Sequence, residues 1–177
     1  FGTVSVGSAQ PLCPSFETAV SFAAGDAPQS VAVADLDGDN VPDLVTANAI
    51  SDDVSVLIGH GDGSFADAVP FATGDSPRSV AVADLDGNGV PDLVTANFFG
   101  GNASVLLGNG DGSFQAAVSF AAGAGPQSVA VADLDGDGNP DVVTANRFGG
   151  DVSVLLGNGD GSLQAAVSFA AGAASQS

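Results

Sequence analysis

The sequence predicts an all-β protein built of tandem four-stranded antiparallel blades of the β-propeller type, about 3.5 repeats of 49 residues, with no helix. Three observations carry this. Asp35, Asp84 and Asp133 open the stretches DLDGDNVPD, DLDGNGVPD and DLDGDGNPD at a constant spacing of 49 residues, and Phe16, Phe65, Phe114 and Leu163 keep the same step. The apolar runs inside each unit are short, rich in β-branched residues and bounded by Gly, Asp, Asn or Pro, which marks strands rather than helices. Four such runs in a unit of about 40 to 50 residues match the size of one propeller blade.

Each element of the unit has its own signal. SVAVADL and DLVTAN read as the first two strands, with the Asp-rich loop between them. A short variable loop leads to VSVLLG, the third strand. NGDGS then gives a hairpin turn, because Asn and Gly accept the positive φ that such turns need, and QAAVSF returns as the fourth strand. The boundaries that follow are a partial repeat at 1–27 (the second half of a blade), repeats at 28–76 and 77–125, and a third repeat with the chain end at 126–177. Three and a half units leave open a piece of a longer array, closure by self-association, or an open stack. The absence of Met from a chain that begins at Phe1 predicts that an N-terminal region has been removed. Cys13 is the only cysteine, so no internal disulfide is expected.

Composition narrows the partners. Twenty-one acids against two basic residues give a formal charge of −19, yet 45% of residues are hydrophobic, so a core can be buried. Such a charge repels phosphate backbones and anionic lipid, which argues against nucleic acid and against membrane binding. No apolar run reaches the roughly 18 residues that a membrane-spanning helix requires, so no membrane insertion is expected. All the acids but Glu17 are Asp, a choice that suits short oxygen ligands at fixed positions.

Those ligands have a place. Asp35, Asp37, Asp39 and Asp43 stand at positions 1, 3, 5 and 9 of a loop, and Asp133, Asp135, Asp137 and Asp141 repeat them. In the second copy Asp84, Asp86 and Asp92 are kept, while Asn88 replaces one carboxylate, so weaker binding is expected there. Ca²⁺ takes six to eight oxygens from just such alternate residues, with a backbone carbonyl at position 7 supplied by Val41, Val90 or Asn139. Position 6 needs a left-handed residue and holds Asn40, Gly89 or Gly138. Thr46, Thr95 and Thr144 occupy the place where an EF-hand has its Glu, so these are shorter calcium loops between strands. Three Ca²⁺ sites are expected, and three ions would bring the formal charge from −19 to −13.

These units resemble FG-GAP or VCBS repeats, as in integrin α-subunit propellers and many bacterial secreted proteins. The likeness rests on the DxDG(D/N)xxxD loop after VAVADL and on the Phe-Ala-Ala-Gly-x-x-Pro stretch at Phe22 to Pro28 with its relatives. It implies calcium in the loop between the first two strands of a blade, and a role in adhesion or ligand binding outside the cell. The resulting expectation is a non-enzymatic, secreted or cell-surface structural or adhesion module, self-associating or bound to another extracellular protein. A lectin-like propeller that binds glycan is the alternative, weakened by the lack of Trp and Tyr. An enzyme is the remote one, since His60 is the only histidine and sits in a turn, no G-x-S-x-G occurs, and no catalytic residue is assigned. The Asp62, Asp111 and Asp160 turns are read as turn formers. The copies differ most in their variable loops, so Phe98, Phe99, Arg147 and Phe148 are the candidate partner contacts, with packing onto the strands beneath as the competing reading.

Overall fold

The β-branched runs form strands in each of the three complete repeats, whereas residues 18–24, expected as the fourth strand of the partial repeat, form none. The computed structural model describes residues 18–171, so most of the partial repeat at 1–27, Cys13 included, lies outside the described residues. The first repeat folds as β1 (Pro28–Ala34), β2 (Asp43–Asn48), β3 (Asp53–Leu57) and β4 (Val69–Ala72). The second gives β5 (Pro77–Ala83), β6 (Asp92–Asn97), β7 (Asn102–Leu106) and β8 (Val118–Ala121). The third gives β9 (Pro126–Ala132), β10 (Asp141–Asn146), β11 (Asp151–Leu155) and β12 (Val167–Ala170). Each repeat is one four-stranded sheet in sequence order. All pairings are antiparallel, as short connections between consecutive strands require.

Register is the same in every copy. Ala32, Val45, Val56 and Val69 face one another across the first sheet, and Ala81, Val94, Val105 and Val118 do so across the second. Ala130, Val143, Val154 and Val167 complete the series. A proline starts the first strand of each sheet, on the edge, where its missing N–H removes no ladder bond. The residue before it is left-handed in all three copies: Ala27 at φ 56°, Ser76 at 57° and Gly125 at 70°.

The sheets stack face to face, and the core lies in the two junctions. Leu36, Val45, Ala47, Val54 and Val56 of the first sheet meet Val80, Leu93, Leu106 and Phe114 of the second. Leu85, Val94, Ala96, Ala103 and Val105 of the second then meet Val129, Val142, Leu155 and Leu163 of the third. The middle sheet is covered on both faces, so every residue of β6 is buried. Aromatic pairs reinforce the stacking: Phe71 meets Phe114 edge to face at 5.4 Å, and Phe22 meets Phe65 in the same way at 5.1 Å.

A polar seam runs through each sheet. In the second, the Thr95 hydroxyl donates to Asn97 Oδ1 (2.8 Å), and Asn97 Nδ2 donates to Asn102 Oδ1 (2.6 Å) and Ser104 Oγ (2.8 Å). Thr46, Asn48 and Ser55 repeat the arrangement in the first sheet, as do Thr144, Asn146 and Ser153 in the third. Buried amides are tolerable only when satisfied, and here each has its partners in all three copies.

Candidate metal centre

Each Asp-rich loop bridges the first two strands of a sheet and is shaped by two left-handed residues. In the first loop these are Gly38 (φ 81°) and Asn40 (65°), in the second Gly87 (73°) and Gly89 (81°), in the third Gly136 (82°) and Gly138 (90°). The chain thus coils tightly, and its own side chains hold the coil. Asp35 accepts from the Gly38 and Asn40 N–H groups at 2.8 Å each, with one oxygen for each. Asp37 accepts from the Asp39 N–H (3.1 Å), and Asp39 from the Val41 N–H (2.7 Å). The third loop does the same with Asp133, Asp135 and Asp137, the last accepting from the Asn139 N–H. In the second loop Asn88 Oδ1 takes the Val90 N–H at 2.6 Å, the role that Asp39 and Asp137 play elsewhere.

This coiling brings carboxylates together. Asp35, Asp37 and Asp39 each offer an oxygen within 4.8 Å of the others, and so do Asp84, Asp86 and Asp92, and Asp133, Asp135 and Asp141. Three hard oxygens converging from one short loop can hold a divalent cation, and the lone pairs not taken by backbone N–H groups remain free for it. Asp37 is held above the ordinary carboxylate value: the Asp39 N–H pulls it down, but desolvation and the charges of Asp39, Asp43 and Asp35 outweigh that pull. A cation would relieve this repulsion.

The position-nine aspartates have a structural duty that spacing alone does not reveal. Asp43, Asp92 and Asp141 are buried. One oxygen of Asp92 accepts the Leu85 N–H (2.7 Å), where the loop begins, and the other accepts the Gly108 N–H (2.8 Å), where β7 ends. Asp43 bridges Leu36 to Gly59, and Asp141 bridges Leu134 to Gly157, in the same way. The carboxylate therefore pins the acidic loop to the neighbouring hairpin. Burial raises the carboxyl of Asp92, against the pull of the Gly108 and Leu85 N–H groups, and the charges of Asp86 and Asp84 push it the same way. The approach is close enough that a Cβ on Gly59, Gly108 or Gly157 would collide with the carbonyl oxygen of Pro42, Pro91 or Pro140.

The GDGS turns lie at this same end of the sheets. Asp62, Asp111 and Asp160 sit below the ordinary carboxylate value, because the Ser64, Ser113 or Ser162 hydroxyl and then its N–H donate to each. They are thus occupied within their turns. At the opposite end, the variable loops place the four candidate contact residues differently. Phe98 is buried, with the Arg78 guanidinium stacked on its ring at 3.7 Å and Phe148 packed against it at 4.9 Å. Phe99 and Phe148 are 70% and 66% exposed, and Arg147 is exposed as well.

A tandem array of four-stranded sheets, each carrying an Asp-rich loop between its first two strands, defines a class of repeat proteins. The chain belongs to the FG-GAP-like repeat family, whose repeats match residues 42–95, 92–144 and 133–177. No curated protein matches it. Among solved structures, a Photorhabdus luminescens Tc holotoxin pore is similar over 81% of this chain and 7% of its own, at 20% identity and a TM-score of 0.47. The V. cholerae biofilm matrix protein Bap1 is similar over 79% of this chain and 28% of its own, at 21% identity and a TM-score of 0.37. The chain thus spans under a third of the length of either.

Proposed function

We propose that this chain is a calcium-stabilised, non-enzymatic repeat module that works outside the cell as a structural or adhesive element and associates with itself or with another extracellular protein. The observation that carries the reading is the threefold recurrence of a left-handed loop that gathers three aspartate oxygens within 4.8 Å, from positions 1, 3 and 5 in the first copy and from positions 1, 3 and 9 in the other two. Oxygen-only, carboxylate-rich coils of this kind suit Ca²⁺ better than Mg²⁺, which keeps its waters and seldom enters an all-protein cage. Exposed loops such as these favour a compartment where calcium is abundant, and extracellular calcium modules operate at about 10⁻⁴ to 10⁻³ M. Among the described residues no helix is long and apolar enough to cross a membrane.

Binding to the folded state alone would stabilise it by about 2.7 kcal/mol per site at a hundredfold excess over Kd. Melting the chain in calcium and again in EDTA tests the reading. A markedly lower Tm in EDTA is expected, and an unchanged melt would overturn it.

A further inference from the structure

We propose that copies of this chain stack head to tail, the open face of the β9–β12 sheet of one copy docking on the open face of the β1–β4 sheet of the next. The inference rests on the reading of the chain as a self-associating module and assigns the surface. The two internal junctions provide the template, because the 49-residue period puts equivalent residues on equivalent faces.

One position on each face makes the point. Leu36 and Leu85 are each 2% exposed, covered by the following sheet, whereas their equivalent Leu134 is 52% exposed. Val80 and Val129 are 7% and 9% exposed, covered by the preceding sheet, whereas their equivalent Val31 is 61% exposed. The third sheet therefore presents the forward half of a junction and the first sheet presents the rear half. Val33 at 62% and Phe169 at 56% extend the two patches. Apolar faces already built to receive one another lower their free energy by meeting.

Polar groups at the junctions follow the same series. The Gly112 N–H donates to the Leu36 carbonyl and the Gly161 N–H to the Leu85 carbonyl, each at 3.1 Å. Among the described residues, the groups left over are the Leu134 carbonyl on the third sheet and the Gly63 N–H on the first. Ser30 Oγ accepts the Val80 N–H (3.4 Å) and Ser79 Oγ the Val129 N–H (3.3 Å), which among the described residues leaves Ser128 Oγ and the Val31 N–H. The open groove on the third sheet, about 530 Å³ and lined by Ser128, Asn146, Arg147 and Val152 among others, is the space a following repeat would enter. Shifting the Phe98–Phe148 contact by one period sets Arg147 against Ile50 of the next copy. The Ile50 N–H is bonded to the Asp26 carbonyl, so this cation meets an acidic segment.

Residues 18–24 lie on part of the first face through the Phe22–Phe65 contact, but form no strand, and Val20 is 74% exposed. The incoming β12 carries the same Val-Ser-Phe-Ala-Ala run as Val20 to Ala24 and takes its place. The interface is heterologous, so it closes into a ring or runs on as a filament according to the rotation per sheet. Two copies would bring six sheets together, within the four to eight of closed propellers.

The test uses the whole chain in calcium, with Val31→Asp and Leu134→Asp, and with Val33→Asp and Phe169→Ser as a second pair. Sedimentation velocity should show species above monomer for the unmodified chain and monomer alone for each variant. An equimolar mixture of a first-sheet and a third-sheet variant, each retaining one intact face, should give dimers and nothing larger. A monomeric unmodified chain, variants that still associate, or a mixture that stays monomeric would overturn the proposal. Melting each sample with and without EDTA separates the two readings: monomers whose Tm still falls in EDTA refute the stacking alone, and an EDTA-insensitive melt refutes the calcium reading.

Discussion

Replacing Asp92 by Ala tests the pinning role of the position-nine aspartate. The substitution strips the acceptor from two buried N–H groups, those of Leu85 and Gly108, bonded at 2.7 and 2.8 Å. Hydrogen bonds to a charged group contribute about 1.5–3 kcal/mol each. Part of that total is offset, because the burial that raises the Asp92 carboxyl also opposes its charge. A net loss of about 3 kcal/mol remains, which at about 2–4 °C per kcal/mol for a chain of this size lowers Tm by about 6–12 °C. The loss should be present in EDTA, since the pin does not depend on a metal. Asp86→Ala is the control: its carboxylate accepts only from Asn88, at 3.1 and 3.0 Å in exposed positions. In EDTA it should cost under about 1 kcal/mol, and in saturating calcium it should remove about one site's worth of stabilisation, near 2.7 kcal/mol at a hundredfold excess over Kd. Differential scanning calorimetry of both variants in the two buffers reads the contrast. Equal losses for the two variants in EDTA would refute the structural assignment of Asp92.

Other positions make separate demands. Asn97→Ala removes the hub of the middle polar seam and orphans Thr95, Asn102 and Ser104, so urea unfolding should register a loss of about 2–4 kcal/mol; a loss under 1 kcal/mol would discount the seam. Gly108→Ala drives a Cβ into the Pro91 carbonyl, and a cost of about 1–3 kcal/mol is expected, with a neutral outcome showing that the loop and hairpin are not held so close. Ala27→Gly relieves a left-handed alanine where the third copy has Gly125 and should raise stability by up to about 1 kcal/mol in urea unfolding, and a loss would refute the strain at this position. Asp111 titrates below the ordinary 3.8, so its contribution is complete above that value and is lost as pH falls through the lower folded value. Carboxyl NMR should find it moving upward in Ser113→Ala, and no movement would remove the hydroxyl as the cause.

Much of the fold is legible in the period and in strand chemistry. The first strand ends at Ala34 rather than Leu36, because the Leu36 N–H leaves the ladder for the Asp43 carboxylate. The fourth strand keeps only Val69–Ala72 of its run, the preceding residues being joined to the hairpin by a single Gly59–Phe65 bridge. The acidic loops are equally legible, since alternate aspartates and a left-handed residue at position 6 leave few other conformations. Three features are harder to read. The pinning role of Asp43 and its equivalents depends on burial, which a ligand pattern does not report. Thr46, Asn48 and Ser55 look like solvent-facing strand residues, and only their recurrence as Thr95, Asn97 and Ser104 hints that they are inside. The inward turn of Phe98 depends on Arg78, which the other copies replace with Gln29 and Gln127.

Calcium stoichiometry tests the central claim most directly. Isothermal titration of Ca²⁺ into the EDTA-treated, dialysed chain should give three ions per chain, the second loop weakest because Asn88 stands where the others have Asp39 and Asp137. A chain lacking Asp37, Asp86 and Asp135 together should lose that saturable heat. No saturable binding by the unmodified chain, or the same three ions bound by the triple variant, would contradict the account.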